Sequence, residues 1–413
     1  MKRIAIVDGF SSGKYIANML GEQDCELFHI ISSSNLDDYY LKSFDQSIYS
    51  KNIVHSDIDI TSKYIVNNRI EFVLAGTETG VELADEINNL INLSYSNGFG
   101  KAIARRNKYE MIESLRQLGI RATKQIQSNR WHDIENWLET QEYPVVAKPL
   151  SSAGSDSVFI CNNKEEAENA FSRIYNKINK LNLKNEAVLF QEFLKGYEYV
   201  VNFVSLNKKV MVTEVVKYHK RQLNSGNIVY DIDEILDSTC PEFILLVDYV
   251  KQVCSSLEIE NGPSHAEVML TDDGPCLVEI AARSDGILRP NVSDETTGMG
   301  QLAATALSLI QPEAFNAKSE ESFYRLKKYS FNVCLISPRD GKLNKKPFDA
   351  LLKSLPSFHS IEYFVNDGDS VTQTKDVFSQ PATIYLVHDS KIQLWEDHNK
   401  IRNFELLGGY LKD

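Results

Sequence analysis

Two apolar runs, Ser264-His265-Ala266-Glu267-Val268-Met269-Leu270 and Cys276-Leu277-Val278-Glu279-Ile280, flank the segment Thr271-Asp272-Asp273-Gly274-Pro275. Aspartate, glycine and proline in this order favour a tight turn, so the two runs are predicted to pair as antiparallel strands. A turn centred on Asp273 makes Glu267 and Glu279 direct cross-strand partners. Such partners have Cβ atoms about 4.5 to 5.5 Å apart, and like charges repel there unless a cation lies between them. Because both glutamates sit among apolar neighbours, a divalent ion is the economical reading. Two solvated glutamates on an exposed sheet face are the alternative. Donors that are all oxygen favour magnesium or manganese over zinc.

Alternation by two carries the same face from Glu279 through Ala281 to Arg283, which places a guanidinium beside the carboxylates, with Asp285-Gly286 following at the strand's end. Arg283 there can stabilise anionic oxygens during phosphate transfer, or act only as a counter-ion. A metal held by two protein carboxylates implies a partner that brings phosphate oxygens. Lys148, at the end of the apolar strand Pro144 to Ala147, and the small-residue loop Ser151-Ser152-Ala153-Gly154-Ser155-Asp156-Ser157 offer a cradle for them. A solvated lysine followed by a hairpin turn is the plainer reading. Further on, Phe190-Gln191-Glu192-Phe193-Leu194-Lys195-Gly196 reads as a strand leaving one lobe through a glycine hinge, with backbone free to meet an adenine edge and Glu198 able to accept ribose hydroxyls.

The rest of the chain is consistent with a multidomain enzyme. Its 413 residues, 43% apolar and 24% charged, exclude collagenous, coiled-coil and mostly disordered chains. The net charge of −13 argues against nucleic acid and anionic membranes as partners and leaves small molecules. Six cysteines without metal spacing read as buried thiols, and the N-terminus lacks the long apolar stretch of a secretory signal, so a cytoplasmic location is expected. Arg3 to Val7 and the helical spacing after it open a Rossmann-like unit of parallel strands reaching to about residue 100. The turn Gly9-Phe10-Ser11-Ser12-Gly13-Lys14-Tyr15 is neither a Walker loop nor a dinucleotide fingerprint, and reads as structural or as a cleft wall. A charged helix from Ala102 to Leu118 ends at Gly119. Two α+β units follow, then a polar linker Pro312 to Ser322 and a final lobe.

Taken in order, these segments resemble the ATP-grasp ligases, and within them the L-amino-acid ligases typified by the bacilysin dipeptide synthetase. The resemblance rests on Asn107-Lys108-Tyr109, Tyr143 to Pro149 with its loop, Gln191 to Leu194 with Glu198, His265-Ala266-Glu267, Gly274 to Ile280 and Ala281-Ala282-Arg283. It implies an α/β and α+β ATP-grasp fold: a Rossmann-like domain (1–105), small and large grasp lobes (106–195 and 196–312) and a C-terminal α+β lobe (323–413). It further implies that Lys108 and Lys148 contact ATP phosphates, Gln191, Glu192, Phe193 and Leu194 the adenine, and Glu198 the ribose. Glu267 and Glu279 would hold magnesium, and Arg283 the acyl-phosphate. The Thr77-Glu78 loop and Lys217 to Arg221 resemble substrate-holding segments of such ligases. Many members carry Glu-x-Asn at the second metal position, whereas Glu279 is followed two residues on by Ala281, as in the amino-acid ligase branch.

The implied reaction activates an amino-acid carboxylate as an acyl-phosphate and passes it to an amine, giving a dipeptide or amide with ADP and phosphate. His219 and Lys220 are candidates for contacting phosphate or a substrate carboxylate, with a solvated basic turn as the alternative. His265 reads as a donor to an acyl oxygen or, better, as a packed core histidine. Asp285 is a candidate for a substrate ammonium group, with Gly286 beside it. A ligase for a non-peptidic acid or amine and an ATP-binding regulator without turnover are the competing readings. A homodimer fits the resemblance.

Overall fold

Ile4 to Val7 have no exposed surface on either side, the signature of a strand covered on both faces, and they form the centre of a parallel sheet. In the computed structural model all residues are described except 37–40, 42–43, 153–155, 224–227, 288, 322 and 413, and the side chain of 378. The first unit comprises β1 (Lys2–Val7), α1 (Ser12–Gly21), β2 (Cys25–Ile31), β3 (Lys51–Val54), α2 (Ile58–Asn67), β4 (Phe72–Ala75) and α3 (Val81–Leu90), in the order β3-β2-β1-β4, all parallel. Arg105, fully buried, fastens this unit to the rest. It pairs with Asp85 at 2.8 Å and donates to the carbonyls of Gly98 and Leu257.

The helix expected from Ala102 to Leu118 is two elements. A short 3-10 turn at Ile103–Arg105 precedes α4 (Lys108–Gln117), because Asn107 accepts from the Tyr109 and Glu110 amides and so starts a new helix. Gly119 follows the end of α4 with φ of +70°, as a C-terminal glycine does. Next come β5 (Gln125–Ser128), α5 (Trp131–Leu138), β6 (Val145–Lys148), β7 (Phe159–Cys161), α6 (Lys164–Ile174) and β8 (Val188–Glu192), with an antiparallel sheet in the order β5-β8-β6-β7. Helix α6 stops at Ile174, and Asn176 just beyond it takes a positive φ.

A larger sheet follows from β9 (Tyr197–Leu206), β10 (Lys209–Gln222) and β11 (Ile228–Ile235), then, after α7 (Pro241–Ser256), β12 (Gly262–Thr271) and β13 (Gly274–Ala281). Helices α8 (Pro290–Thr297), α9 (Gln301–Ile310) and α10 (Pro312–Ser319) come next. The polar stretch expected as a linker is thus largely a helix, with Pro312 in its first turn and Phe315 fully buried. The C-terminal elements are β14 (Tyr329–Cys334), β15 (Gly341–Leu343), α11 (Lys345–Lys353), β16 (Phe358–Tyr363), β17 (Ser370–Val371), β18 (Ala382–His388), α12 (Lys391–Leu406) and β19 (Leu411–Lys412). Three of these strands extend the large sheet to eight, in the order β13-β12-β9-β10-β11-β14-β18-β16.

One face of that sheet is dry at each end. Val201, Phe203, Val215, Ala266, Val268 and Ile280 pack under α4 and α7, while Ile232, Phe331, Val333 and Ile384 pack with Leu394 and Ile401 of α12. The opposite face carries the alternate residues, and the site is built there.

Candidate active site

Glu267 and Glu279 are opposed, as expected, but not by the expected turn. The turn is the two-residue Asp272-Asp273, and from Thr271↔Gly274 to Val268↔Leu277 the register would leave Glu267 facing Val278. A bulge at that point adds Val278 to one strand, and Glu267 then pairs with Glu279, Ala266 with Ile280 and His265 with Ala281. The bulge therefore puts both carboxylates on the face away from the α7 core.

Cations converge on the pair. Lys108 at the start of α4 reaches Glu279 at 2.8 Å and donates to the Ser152 carbonyl at 3.0 Å. Burial opposes charge on Glu279, but Lys108, Lys148 and Arg283 together outweigh it and hold the carboxyl down at about 2. Lys148 ends β6 with 5% exposure; burial first and then Lys108 push its ammonium down to about 8. Arg283 donates to Glu78 at 3.0 Å, and Glu78 also binds Arg106. Burial disfavours charge on Glu78, yet Arg106 and Arg283 keep its carboxyl below the usual value. The first unit's Glu78 loop is thereby brought to the end of the strand that carries Glu279, and the Ser12 hydroxyl of the opening turn lies 3.5 Å from the Ser284 carbonyl.

His265 is sandwiched between carboxylates, 3.4 Å from Glu267 and 3.2 Å from Asp285, with Asn202 at 3.0 Å. Burial opposes its charge, but Asp285 and Glu267 raise it to about 9. Asp285 is itself buried, taking bonds from the Asn202 amide and the Ile287 N–H, and it orients His265. Gly286 beside it is exposed. The sign of the coupling follows: a histidine raised from 6.5 to about 9 contributes fully below pH 6.5 and loses its contribution as pH rises through 9. Asp285→Asn is expected to destabilise the protein by about 3 kcal/mol at pH 6, where it strands a buried charge, and by much less at pH 9.5. Urea unfolding at the two pH values measures it.

At the hinge, Gln191 is buried and bonded to Gln125 at 2.9 Å. The Glu192 carboxylate turns back to the Lys124 N–H at 2.8 Å, so this side chain closes β5 against β8 and does not face the hinge. Phe193 and Leu194 are half-buried in the connection to β9. Gly196 is required there, because a Cβ on it would lie 2.2 Å from the Leu270 carbonyl oxygen. Glu198 is held by Lys220 and by the Tyr230 hydroxyl at 3.3 Å. Of the expected phosphate loop, Ser151 approaches the Arg106 carbonyl at 3.4 Å and Ser152 bonds Asp156 at 2.8 Å. Gly154 and Ser155 lie outside the described residues.

His219 does not join them. Alternation along β10 sends Tyr218 and Lys220 to the site face and His219 to the other, where it bonds Glu234 at 2.8 Å and meets the Trp395 ring of α12 edge-on. The structure adds residues that sequence reasoning missed: Arg106, Asn202, Tyr218, Tyr230 and Asp233. Arg106 directly precedes the Asn107-Lys108-Tyr109 motif, and Tyr218 is in the basic segment singled out beforehand. Tyr230 and Asp233 gave no signal, since nothing in one sequence marks which way β11 faces.

A small antiparallel sheet hinged to a larger one, with facing carboxylates and clustered cations at their junction, defines the ATP-grasp class. Residues 141–290 match the family model of the ATP-grasp domain. Dapdiamide A synthase of Enterobacter agglomerans is 33% identical over 408 residues, covering 97% of this chain and 95% of the relative, and the chain belongs to this family of ATP-grasp ligases. Alanine–anticapsin ligase of Bacillus subtilis (strain 168) is 25% identical over 199 residues, 44% of this chain and 42% of that protein. The crystal structure of an L-amino acid ligase from Bacillus licheniformis has the same fold, with a TM-score of 0.77 at 17% identity over 98% of this chain and 97% of the other. The chain is an enzyme that joins a small-molecule carboxylate to an amine in an ATP-dependent reaction. No helix among the described residues is long and apolar enough to cross a membrane.

Proposed function

We propose that the activated carboxylate belongs to an amino acid, that a second amino acid or related amine takes up the acyl group, and that the product is a dipeptide or amide. The names of the relatives support this reading, and the observation that carries it is the Glu267–Glu279 pair ringed by Lys108, Lys148 and Arg283. Magnesium fits the pair: the donors are oxygens, and among the described residues no cluster of three or more His, Cys, Asp or Glu forms a closed metal cage, so nucleotide phosphates and water would complete the sphere. Manganese fits the same donors. When bound, the ion neutralises the phosphate oxygens of the transferring group.

The chain's own residues do the rest. Lys108 and Lys148 hold the phosphates, and Ser151, Ser152, Gly154 and Ser155 are further contacts for them. The hinge residues Gln191, Phe193 and Leu194, with the backbone of Glu192, flank the adenine, and Glu198 receives the ribose. Arg283, tethered by Glu78, meets the anionic oxygens of the acyl-phosphate, and Lys220 stands beside the ribose side. His265 is a positioning group for Glu267. Closing the small lobe over the large one excludes water, which would otherwise hydrolyse the acyl-phosphate. We divide the chain at 1–105, 106–195, 196–312 and 323–413, and expect a cytoplasmic homodimer, which light scattering of the purified protein checks as regards assembly.

Phosphate release with mass-spectrometric product detection, screened over pairs of amino acids, tests the function. The expected result is phosphate and dipeptide formed one for one, with release dependent on both partners. Release only with non-peptidic acids or amines would move the substrate class, and nucleotide binding without release from any pair would make the chain a regulator.

A further inference from the structure

Strands β10 and β11 bring Lys220 and Tyr230 to Glu198 across an irregular ladder. Tyr218 opposes Asp233 and His219 opposes Ile232, but Lys220 then opposes Tyr230, which leaves Asp231 as an extra residue. The consequence is a change of face. Asp233 shares the site side with Tyr218, and Ile232 points the other way, into the core beneath α12. In a regular strand Tyr230 would point with Ile232. The extra residue returns it to the site face, where its hydroxyl lies 3.3 Å from Glu198 and its ring stacks edge-on against Tyr218 at 4.9 Å. The Lys220 ammonium lies 5.0 Å above the same ring.

Something must hold Asp231 out of the ladder, because a regular register would regain its hydrogen bonds. Arg402 of α12 does so from the opposite face of the sheet. Its Nε donates to Asp231 Oδ1 at 2.9 Å and its Nη2 to the Asp231 carbonyl at 3.1 Å, while His398 Nε2 lies 3.0 Å from the same carboxylate. The guanidinium is fixed in turn by the Cys334 carbonyl at 2.9 Å and by both oxygens of Glu405 at 2.6 Å, and Glu405 accepts the Ile336 N–H at 2.7 Å. Arg402 is only 7% exposed, and its planar fork joins the bulge, the end of β14 and its own helix in one geometry that an ammonium could not reproduce. The alternative register is a one-residue slip, which reverses every side chain beyond it. In that slipped state Asp231 would oppose Lys220 on the site face and compete with Glu198 for its charge.

We propose that Arg402 is a positioning residue for the nucleotide: by clamping Asp231 outside the ladder, it sets the register that turns Tyr230 toward Glu198 and keeps Lys220 for that glutamate. The C-terminal helix, on the far side of the sheet, thereby sets nucleotide affinity. This rests on the reading of Glu198 as the ribose acceptor.

Three variants and one structure test it. Arg402→Met is expected to raise the KM for ATP about tenfold, the size of one lost charged hydrogen bond, with kcat and the amino-acid KM values little changed. Its crystal structure should show Lys220 opposite Asp231. Deleting Asp231 in the Arg402→Met background removes the extra residue, leaves Tyr230 on the site face in a regular ladder, and should restore the KM for ATP. Arg402→Met with Asp231→Ala removes both charges but keeps the extra residue, and should remain impaired. Restoration by the alanine double variant, or a folded Arg402→Met protein whose kcat falls while its KM for ATP is unchanged, would overturn the clamp. If Arg402→Met does not fold, Arg402→Lys, which keeps the charge without the fork, is read in the same way. Glu198→Ala is run beside them: an unchanged KM for ATP in that variant rejects the ribose assignment, while the register seen in the Arg402→Met crystal still decides the clamp.

Discussion

Replacing Glu279 with glutamine is expected to lower amine-dependent phosphate release by about a thousandfold, the upper range for losing one preorganised electrostatic group, and also to lower thermal stability at neutral pH, because Lys108, Lys148 and Arg283 lose the carboxylate they hold down. Lys108, Lys148 and Arg283 hold the carboxyl down at about 2 against the cost of burial, so it is ionised at neutral pH. Glutamine keeps the volume and still accepts from Lys108, now 2.8 Å away, but removes the negative charge that balances Lys108, Lys148 and Arg283. The side chain is about a quarter exposed and faces away from the core under α7, so its loss leaves apolar packing untouched. The same change at Glu267 strikes a different network, since that carboxylate is His265's neighbour at 3.4 Å. Phosphate release and a melting curve on the same preparation separate the two effects. Turnover near the wild-type rate in Glu279→Gln would remove the carboxylate pair from the chemistry.

The pairing of these two glutamates was legible in the sequence, but through two errors that cancelled. The turn lies half a residue earlier than its composition suggested, and the bulge at Val278 restores the offset. A bulge has no composition signal here, because Val278 looks like any other strand residue. The parallel first sheet, the hinge glycine and the lysine ending β6 were legible because each depends on a local pattern: continuous burial, close backbone approach, or a charge ending an apolar run. A final lobe was also legible, yet the joining of its strands to the large sheet through β11 and β14 was not, since strand partners that far apart leave no local trace. His219 was misplaced for a related reason. A run of basic residues advertises a site, but alternation lets only every second one face it, and choosing which requires the register of the neighbouring strands. The pairing of Lys220 with Glu198, 22 residues apart in the chain, is likewise a product of tertiary packing.

Lys148 is where the needs of folding and catalysis oppose each other most directly. Among the described residues its ammonium makes no hydrogen bond or ion pair, and it is nearly buried beside a second lysine. Its value in the folded protein is about 8 against 10.5 ordinarily, so between those pH values the unfolded chain binds more protons than the native one, and stability rises with pH across that window. Below pH 8 the full cost is present, about 3 kcal/mol by the usual conversion of such a shift. Lys148→Met is therefore expected to raise unfolding stability at pH 7 by up to that amount, to abolish the rise between pH 8 and 10.5, and to lower phosphate release by at least about a hundredfold. Nucleotide phosphate adds negative charge to that of Glu279, Glu267 and Glu198 around Lys148, so binding should draw a proton onto Lys148 above pH 8, and kcat/KM for ATP in the wild type should fall as pH climbs past that point. Calorimetric titration of nucleotide in buffers of different ionisation enthalpy reads the proton directly. Proton uptake at pH 8.5 in the wild type and none in Lys148→Met is the expected pair of results; equal uptake in both would place the phosphates elsewhere.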